Sequence, residues 1–327
     1  MISHQSRHFD CSPVVGIIVP CFNEEESLLK TLPVLLSLLQ KLADRGKVGT
    51  DSFIGFIDDG SNDRTWDIIV KGASAKVRGV RLSCNCGHQR ALLAGIEIFQ
   101  GQAECLITID ADLQDDVDAI EEMLDRFREG YQIVYGVRRE RSADSLFKRY
   151  TAHGFYRFME LLGVQIVYNH ADFRLASRRV LQELVRFREV NLFLRGMFPL
   201  LGFRSTCVTY NRKERGEGES KYPLRKMLSF AWDGVTSFSI KPLRLISVMG
   251  FFLFIVSIFL CAYAILSYTL IGTVPGWASI VLPMYLLGGI QLLGIGIIGE
   301  YAGKIYAEVK QRPRFIIEKV VGGEHDQ

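Results

Sequence analysis

Asp110 and Asp112, with Gln114 two positions further on, are the residues whose types and spacing speak most directly of chemistry. Two carboxylates at i and i+2, with an amide oxygen beyond them, converge on one hard cation wherever the backbone turns. Mg²⁺ or Mn²⁺ held in this way neutralises a diphosphate and stabilises the charge that develops on a departing nucleoside diphosphate. Alone the pair is a weak signal, since acidic pairs also cap helices, and Asp115 and Asp116 stand where they would cap the next one. Two other acidic, turn-forming segments strengthen it: Pro20-Cys21-Phe22-Asn23-Glu24-Glu25 and Asp58-Asp59-Gly60-Ser61-Asn62-Asp63. The three together suit the hydrogen bonding of a ribose and a base plus a metal. No GxGxxG follows the first apolar run, which argues against NAD or FAD, and no GxxxxGK[ST] is present, which argues against a P-loop NTPase.

Each acidic segment closes a short β-rich run. Candidate strands are Val14–Val19, Phe53–Ile57, Val80–Ser83, Cys105–Ile109 and Ile133–Tyr135, with helical stretches near Glu24–Gln40, Asp63–Lys76, Gln89–Gln100 and Val117–Glu129 between them. Such alternation predicts an α/β domain with a parallel sheet and crossover helices, whose ligands bind at the carboxyl edge of the strands. From about Ser142 to Tyr210 the chain turns richer in arginine and helix, with helices expected over Asp144–Leu162 and Ser177–Phe187 and a short apolar stretch at Asn191–Leu201. A charged loop, Asn211–Tyr222, follows.

From Leu245 to Gly299 there is no Asp, Glu, Lys, Arg or His. One helix of that length would measure about 80 Å at 1.5 Å per residue, far more than a ~30 Å hydrocarbon core holds, so the segment must fold back. Thr269–Ser279, with two Gly, a Pro and a Trp, is the turn. Basic residues flank the run (Arg225, Lys226, Lys241, Arg244, Lys304, Lys310, Arg312, Arg314) and none lies in the turn, which puts both flanks in the cytoplasm. Pro223–Lys241 reads as an amphipathic helix at the membrane interface, or as a surface helix packed on the catalytic domain. The expected domains are therefore a cytoplasmic catalytic domain over 1–222, an interfacial helix over 223–243, two transmembrane helices within 244–302 (about 245–268 and 280–300) and a cytoplasmic tail over 303–327. The net charge of +3 is too small to argue for nucleic acid, seven cysteines fit a reducing compartment, and MISHQSRHFD carries no secretory h-region.

With these segments in place, the chain resembles the family-2, GT-A (Rossmann-like) glycosyltransferases, and within them the polyprenol-phosphate enzymes that include dolichol-phosphate mannose synthases and bactoprenol glucosyltransferases. The resemblance runs through VPCFNEEESL, IDDGSNDRT, NCGHQRALLAG, IDADLQDD, YGVRRERSADSLFKR, ADFRLASRR, GESKY, TSFSIKPLRL and GEYAGKIYAEVKQRPRF. It implies that Pro20, Phe22, Glu24, Ala111 and Asp58 or Asp59 line the nucleotide pocket, and that Asp110, Asp112 and Gln114 hold Mg²⁺ or Mn²⁺. Arg215 and Lys221 would grip the donor's phosphates, and Arg138, with Arg149 or Lys148, the acceptor phosphate. A guanidinium fork suits phosphate geometry.

Asp172 in ADFRL is either a general base or a residue that orients Arg174 or a donor hydroxyl. Orientation is favoured, because a phosphate monoester is ionised near neutral pH with a second pKa of about 6. Cys84, Cys86 and His88 lack a second ligand pair for zinc, and a structural role is preferred for them. The expected activity is inverting transfer of a sugar, glucose from UDP-glucose first and mannose or another sugar second, onto undecaprenyl or polyprenyl phosphate at the inner (plasma) membrane. A processive polysaccharide synthase would carry QxxRW and more spans. A flippase or scaffold with a relict transferase domain would not need DADLQ and GESKY. The resemblance also admits a homo-oligomer.

Overall fold

Val15–Cys21 (β1) and Phe53–Asp58 (β2) are buried at every position, as strands covered on both faces of a parallel sheet must be. In this computed structural model, which describes residues 12–139, 170–189, 194–211, 241–270 and 276–323, they lie at the centre of an eight-stranded sheet. The other strands are Val77–Leu82 (β3), Cys105–Thr108 (β4), Ile133–Arg138 (β5), His170–Ser177 (β6), Ser205–Tyr210 (β7) and Ile317–Val321 (β8), and the order across the sheet is β7-β5-β6-β4-β1-β2-β3-β8. β3, β2, β1 and β4 are parallel neighbours, and β5 pairs in parallel with β7. β6 and β8 run against the rest.

Helices cross between the parallel strands: Glu25–Asp44 (α1), Thr65–Gly72 (α2), His88–Phe99 (α3) and Ala119–Arg128 (α4). The apolar spacing of α4 puts Ile120, Met123, Leu124 and Phe127 on one buried stripe. α3 approaches the sheet more closely, because a Cβ on Gly95 would lie 2.6 Å from Ile18 and 2.9 Å from Ile57. Arg178–Val185 (α5) starts at Ser177, whose hydroxyl accepts from the Val180 amide at 3.3 Å. Leu194–Leu200 (α6) falls within the predicted apolar stretch.

All five predicted strands are present, and three more join them. β6 lies inside the section expected to be helical, because the alternation of HADFRLAS is masked by the arginines around it. β7 and β8 are the other two. β8 pairs antiparallel with β3, so the segment expected as a tail supplies an edge of the sheet. Arg314, just before β8, ion-pairs with Glu97 of α3 and donates to the Phe187 carbonyl at 2.9 Å.

The chain divides into two compact units, one holding the sheet and its helices. The other holds Lys241–Leu270 (α7) and Trp277–Lys310 (α8), helices of 30 and 34 residues. Ile246, early in α7, packs against the middle of α8, where a Cβ on Gly294 would lie 3.5 Å from its side chain. Counting only the described residues, no helix is long and apolar enough to cross a membrane. The expected helix Asp144–Leu162, nearly all of the loop Asn211–Tyr222 and most of the interfacial helix 223–243 lie outside the described residues.

Candidate active site

The carboxyl ends of β1, β2, β3 and β4 share one edge, and β6 brings its first residues to that edge because it runs the other way. β4 and β6 pair with Thr108 opposite Arg174, and the Thr108 hydroxyl donates to the Asp172 carbonyl. This register carries Asp172 to the Asp110–Gln114 turn.

Hydrogen bonds lock the edge loops to one another. The Asn23 amide donates to the Ser61 hydroxyl and the Asn62 amide to the Asn23 side-chain oxygen, both at 2.9 Å. The Glu24 amide donates to the Thr65 hydroxyl at 2.9 Å, and the Thr31 hydroxyl to the Ala111 carbonyl at 2.6 Å. Asn23 and Leu113 hold left-handed backbone, at φ 53° and 48°. That conformation is costly for leucine and persists where the surroundings over-determine it, which is common in ligand sites. Pro20 is buried at the end of β1, whereas the Phe22 ring is 41% exposed beside it. Glu24 accepts from the Ser27 hydroxyl at 2.5 Å.

Asp58 and Asp59 are buried and face inward. Burial pushes both carboxyls up from the usual range. Asp58 accepts from the Ser61 amide at 3.1 Å and stands 3.4 Å from the Arg81 guanidinium. Asp59 accepts from two amides of the β3–α3 loop, Cys86 at 2.7 Å and Gly87 at 2.8 Å, and so ties the second and third edge loops together.

Asp110 is half-exposed and Asp112 exposed, while Gln114 is buried and its amide donates to Asp112 at 3.2 Å. Burial raises the Asp110 carboxyl; His88 opposes this, and the charges of Asp172, Asp115 and Asp112 push it further up. Among the described residues no three His, Cys, Asp or Glu side chains form a complete metal site. Two mutually repelling carboxylates with an amide nearby nonetheless fit Mg²⁺ or Mn²⁺ of the kind that takes its remaining oxygens from a substrate diphosphate and water. When bound there, such an ion supplies positive charge to the leaving diphosphate.

Asp172 is the opposite case. It accepts from Arg195 through two bonds, at 3.0 and 3.3 Å, pairs with Arg174, and lies 3.5 Å from His88 Nε2. Burial alone would raise its carboxyl, but these cations hold it well below the usual range. His88 also stands 3.6 Å from Asp110. Burial pulls His88 down, yet its hydrogen bond to Asp172 and the two carboxylate charges leave it raised. Arg174 is fully buried and stacks over Phe198 at 4.6 Å. Gln89 accepts from the Leu194 amide at 3.1 Å, which pins the start of α6, and hence Arg195, against α3.

Arg138, at the end of β5, is engaged by Asp115 at 3.1 Å, and the Tyr210 hydroxyl donates to the same carboxylate oxygen at 2.6 Å. Asp115 therefore does not cap α4. The residue at that cap is Asp118, with no side-chain cap bond. Lys148, Arg149, Arg215 and Lys221 lie outside the described residues.

The sequence reading gave His88 a structural role and passed over Arg195. His88 follows the loop that closes the third strand, at the binding edge, and Arg195 is the sole charge in the apolar stretch Leu192–Leu201. Those two signals were available, although the convergence on Asp172 is tertiary.

A mixed α/β sheet with acidic turns gathered at one edge is the frame of a GT-A transferase. Residues 16–185 match the family described as glycosyl transferase family 2; the chain belongs to that family and is a glycosyltransferase. It is 51% identical over 308 residues to the glycosyltransferase YkoT of Bacillus subtilis, covering 94% of this chain and 91% of that one. It is 37% identical over 309 residues to the SfII prophage-derived bactoprenol glucosyl transferase of Shigella flexneri, covering 93% and 97%. Mannosyl-3-phosphoglycerate synthase from Rubrobacter xylanophilus, a solved structure, aligns at a TM-score of 0.46 and 14% identity over 68% of this chain and 71% of that one.

Proposed function

We propose that the protein is an inverting glycosyltransferase that moves a sugar, glucose from UDP-glucose in first place, onto a polyprenyl phosphate at the cytoplasmic face of the membrane. The observation that carries this reading is the state of Asp172. A hydroxyl acceptor needs a base to take its proton, and a carboxylate held by His88, Arg174 and Arg195 is a poor one. A phosphate acceptor brings its own charge and needs no such help. Relatives named bactoprenol glucosyl transferases, similar over more than nine-tenths of the chain, support the same acceptor class and the glucosyl group.

Asp110, Asp112 and Gln114 would hold Mg²⁺ or Mn²⁺, and Phe22 with the Asp58–Asn62 turn would frame the nucleotide. Arg215 and Lys221 remain the proposed cations for the donor phosphates, and Arg149 or Lys148 beside Arg138 for the acceptor. A two-span anchor is proposed for the whole uncharged sequence around α7 and α8, although neither helix, counted over its described residues alone, is long and apolar enough to cross a membrane. Support comes from the uncharged sequence between Leu245 and Gly299 and from exposed apolar side chains such as Phe251, Phe259, Met284 and Leu292, at 68, 70, 70 and 72%. A chain confined beside a lipid substrate meets it more often.

The test incubates membranes holding the full-length protein with labelled nucleotide-sugars and polyprenyl phosphate, then extracts the lipid. Labelled glucosyl lipid from UDP-glucose is expected. A water-soluble polymer instead, or no labelled lipid from any donor, overturns the reading.

A further inference from the structure

The thiols of Cys84 and Cys86 have no part in the site as described, yet they stand in its wall. The loop Ser83–Gly87 leads from β3 to α3 and carries His88 at its end. Its backbone presses on the Asp58–Asn62 turn so closely that a Cβ on Gly60 would lie 2.6 Å from the Cys84 carbonyl carbon, and Gly60 sits at φ 68°. The two sulfurs are 3.8 Å apart, Cys84 is exposed and Cys86 is half-buried. Zinc does not explain the pair, since no third ligand of the usual kind joins it among the described residues.

We propose that Cys84 and Cys86 form a reversible intramolecular disulfide, a modification site in the wall of the donor pocket whose closure loosens the hold of Asp59 on the β3–α3 loop. Only Asn85 separates the two cysteines, so the ring is small, and an exposed disulfide closed through so short a loop belongs to the labile, easily reduced kind. Burial, then the hydrogen bond to Cys84, pushes the Cys86 thiol up to about 11, which leaves exposed Cys84 to meet an oxidant first. The Cys84 thiolate attacks one sulfur of a low-molecular-weight disulfide and releases the first small thiol. Cys86 then gives its proton to water and attacks Cys84 sulfur, expelling the second. Two protein thiols are oxidised, and one small disulfide is reduced to two thiols.

Drawing the sulfurs from 3.8 Å to bonding distance must move residue 86, whose amide, with that of Gly87, is held by Asp59. The same shift displaces the root of α3 and His88. A weaker hold on the donor follows if the Asp58–Asn62 turn frames the nucleotide, a consequence that rests on the function proposed above.

The experiment treats the full-length protein with oxidised glutathione, maps cysteine-containing peptides by mass, and follows amide exchange and UDP-glucose binding before and after reduction. The expected result is a Cys84–Cys86 bridge, while exposed Cys207 carries only glutathione. Exchange at Cys86 and Gly87 should quicken about tenfold, as loss of one hydrogen bond's protection implies, UDP-glucose binding should weaken, and reductant should reverse all three. Cys84→Ser and Cys86→Ser should take up a single glutathione and keep the reduced exchange pattern. Glutathione on both cysteines with no bridge, or a bridge with unchanged exchange at Cys86 and Gly87, overturns the proposal. Failure of the reduced protein to bind UDP-glucose would sink the donor reading instead and leave the exchange result to decide the switch.

Discussion

Asp110, in the turn after β4, and Asp172, near the start of β6, lie at the same end of one strand pair, and their surroundings are opposite. Asp110 is half-exposed among other carboxylates, with its own carboxyl raised. Asp172 is buried among Arg174, Arg195 and His88, and its carboxyl is lowered. One position keeps negative charge that only His88 partly offsets, and the other has its charge engaged by the arginines and histidine around it. Acidic residues on one edge therefore divide into those that wait for a partner and those that already have one.

The sharpest way to break this contrast is Asp110→Asn. Loss of several kcal/mol of transition-state charge stabilisation should lower transfer by roughly 10³-fold or more. The melting temperature should hold or rise, because a repelled charge is gone; a clear fall would place Asp110 in the structural class instead. Asp172→Asn should do the reverse in stability, since removing one partner of a buried pair costs about 3–5 kcal/mol. Denaturant midpoints measure it, and an unchanged midpoint would deny that the cations depend on Asp172.

A pH series sharpens the same point. The folded Asp172 carboxyl lies below its unfolded value of about 3.9, so its contribution is fully present above that value and disappears as pH falls through the folded one. As pH falls below the unfolded value the parent should lose stability more steeply than Asp172→Asn; parallel slopes would remove Asp172 as a cause. The smallest effect is expected for Arg195→Lys, which keeps the charge but loses the two-pronged grip on Asp172. A melting temperature a few degrees lower, corresponding to about 1 kcal/mol, would fit, and a loss as large as that of Asp172→Asn would mean the fork carries the whole cluster.

The parallel core was legible because β1, β2 and β4 are continuous apolar runs closed by acidic turns. β6 was not, since its alternating HADFRLAS sits among arginines that also fit a helix face, and its place between β4 and β5 depends on pairing partners far away in sequence. Spacing likewise picked out Asp110, Asp112 and Gln114, which are local in the chain. It could not show that Arg138 is held by Asp115 and Tyr210, or that His88 and Arg195 meet at Asp172, because each of those meetings joins separate elements. The partners of Asp172 likewise come from separate elements, and they support the orienting role proposed for it above.

The return of the chain to the sheet as β8 has a consequence for how the molecule is made. Ribosomes release β3 with one flank bare, and its partner emerges only after α7 and α8 have been synthesised. An unpaired flank of that kind invites stray strands. Maturation of the catalytic half must therefore wait on translation of the helical half, and a shortened version ending before α7 would leave that flank permanently open, whereas one that splices residue 312 back onto the chain ahead of α7 would not.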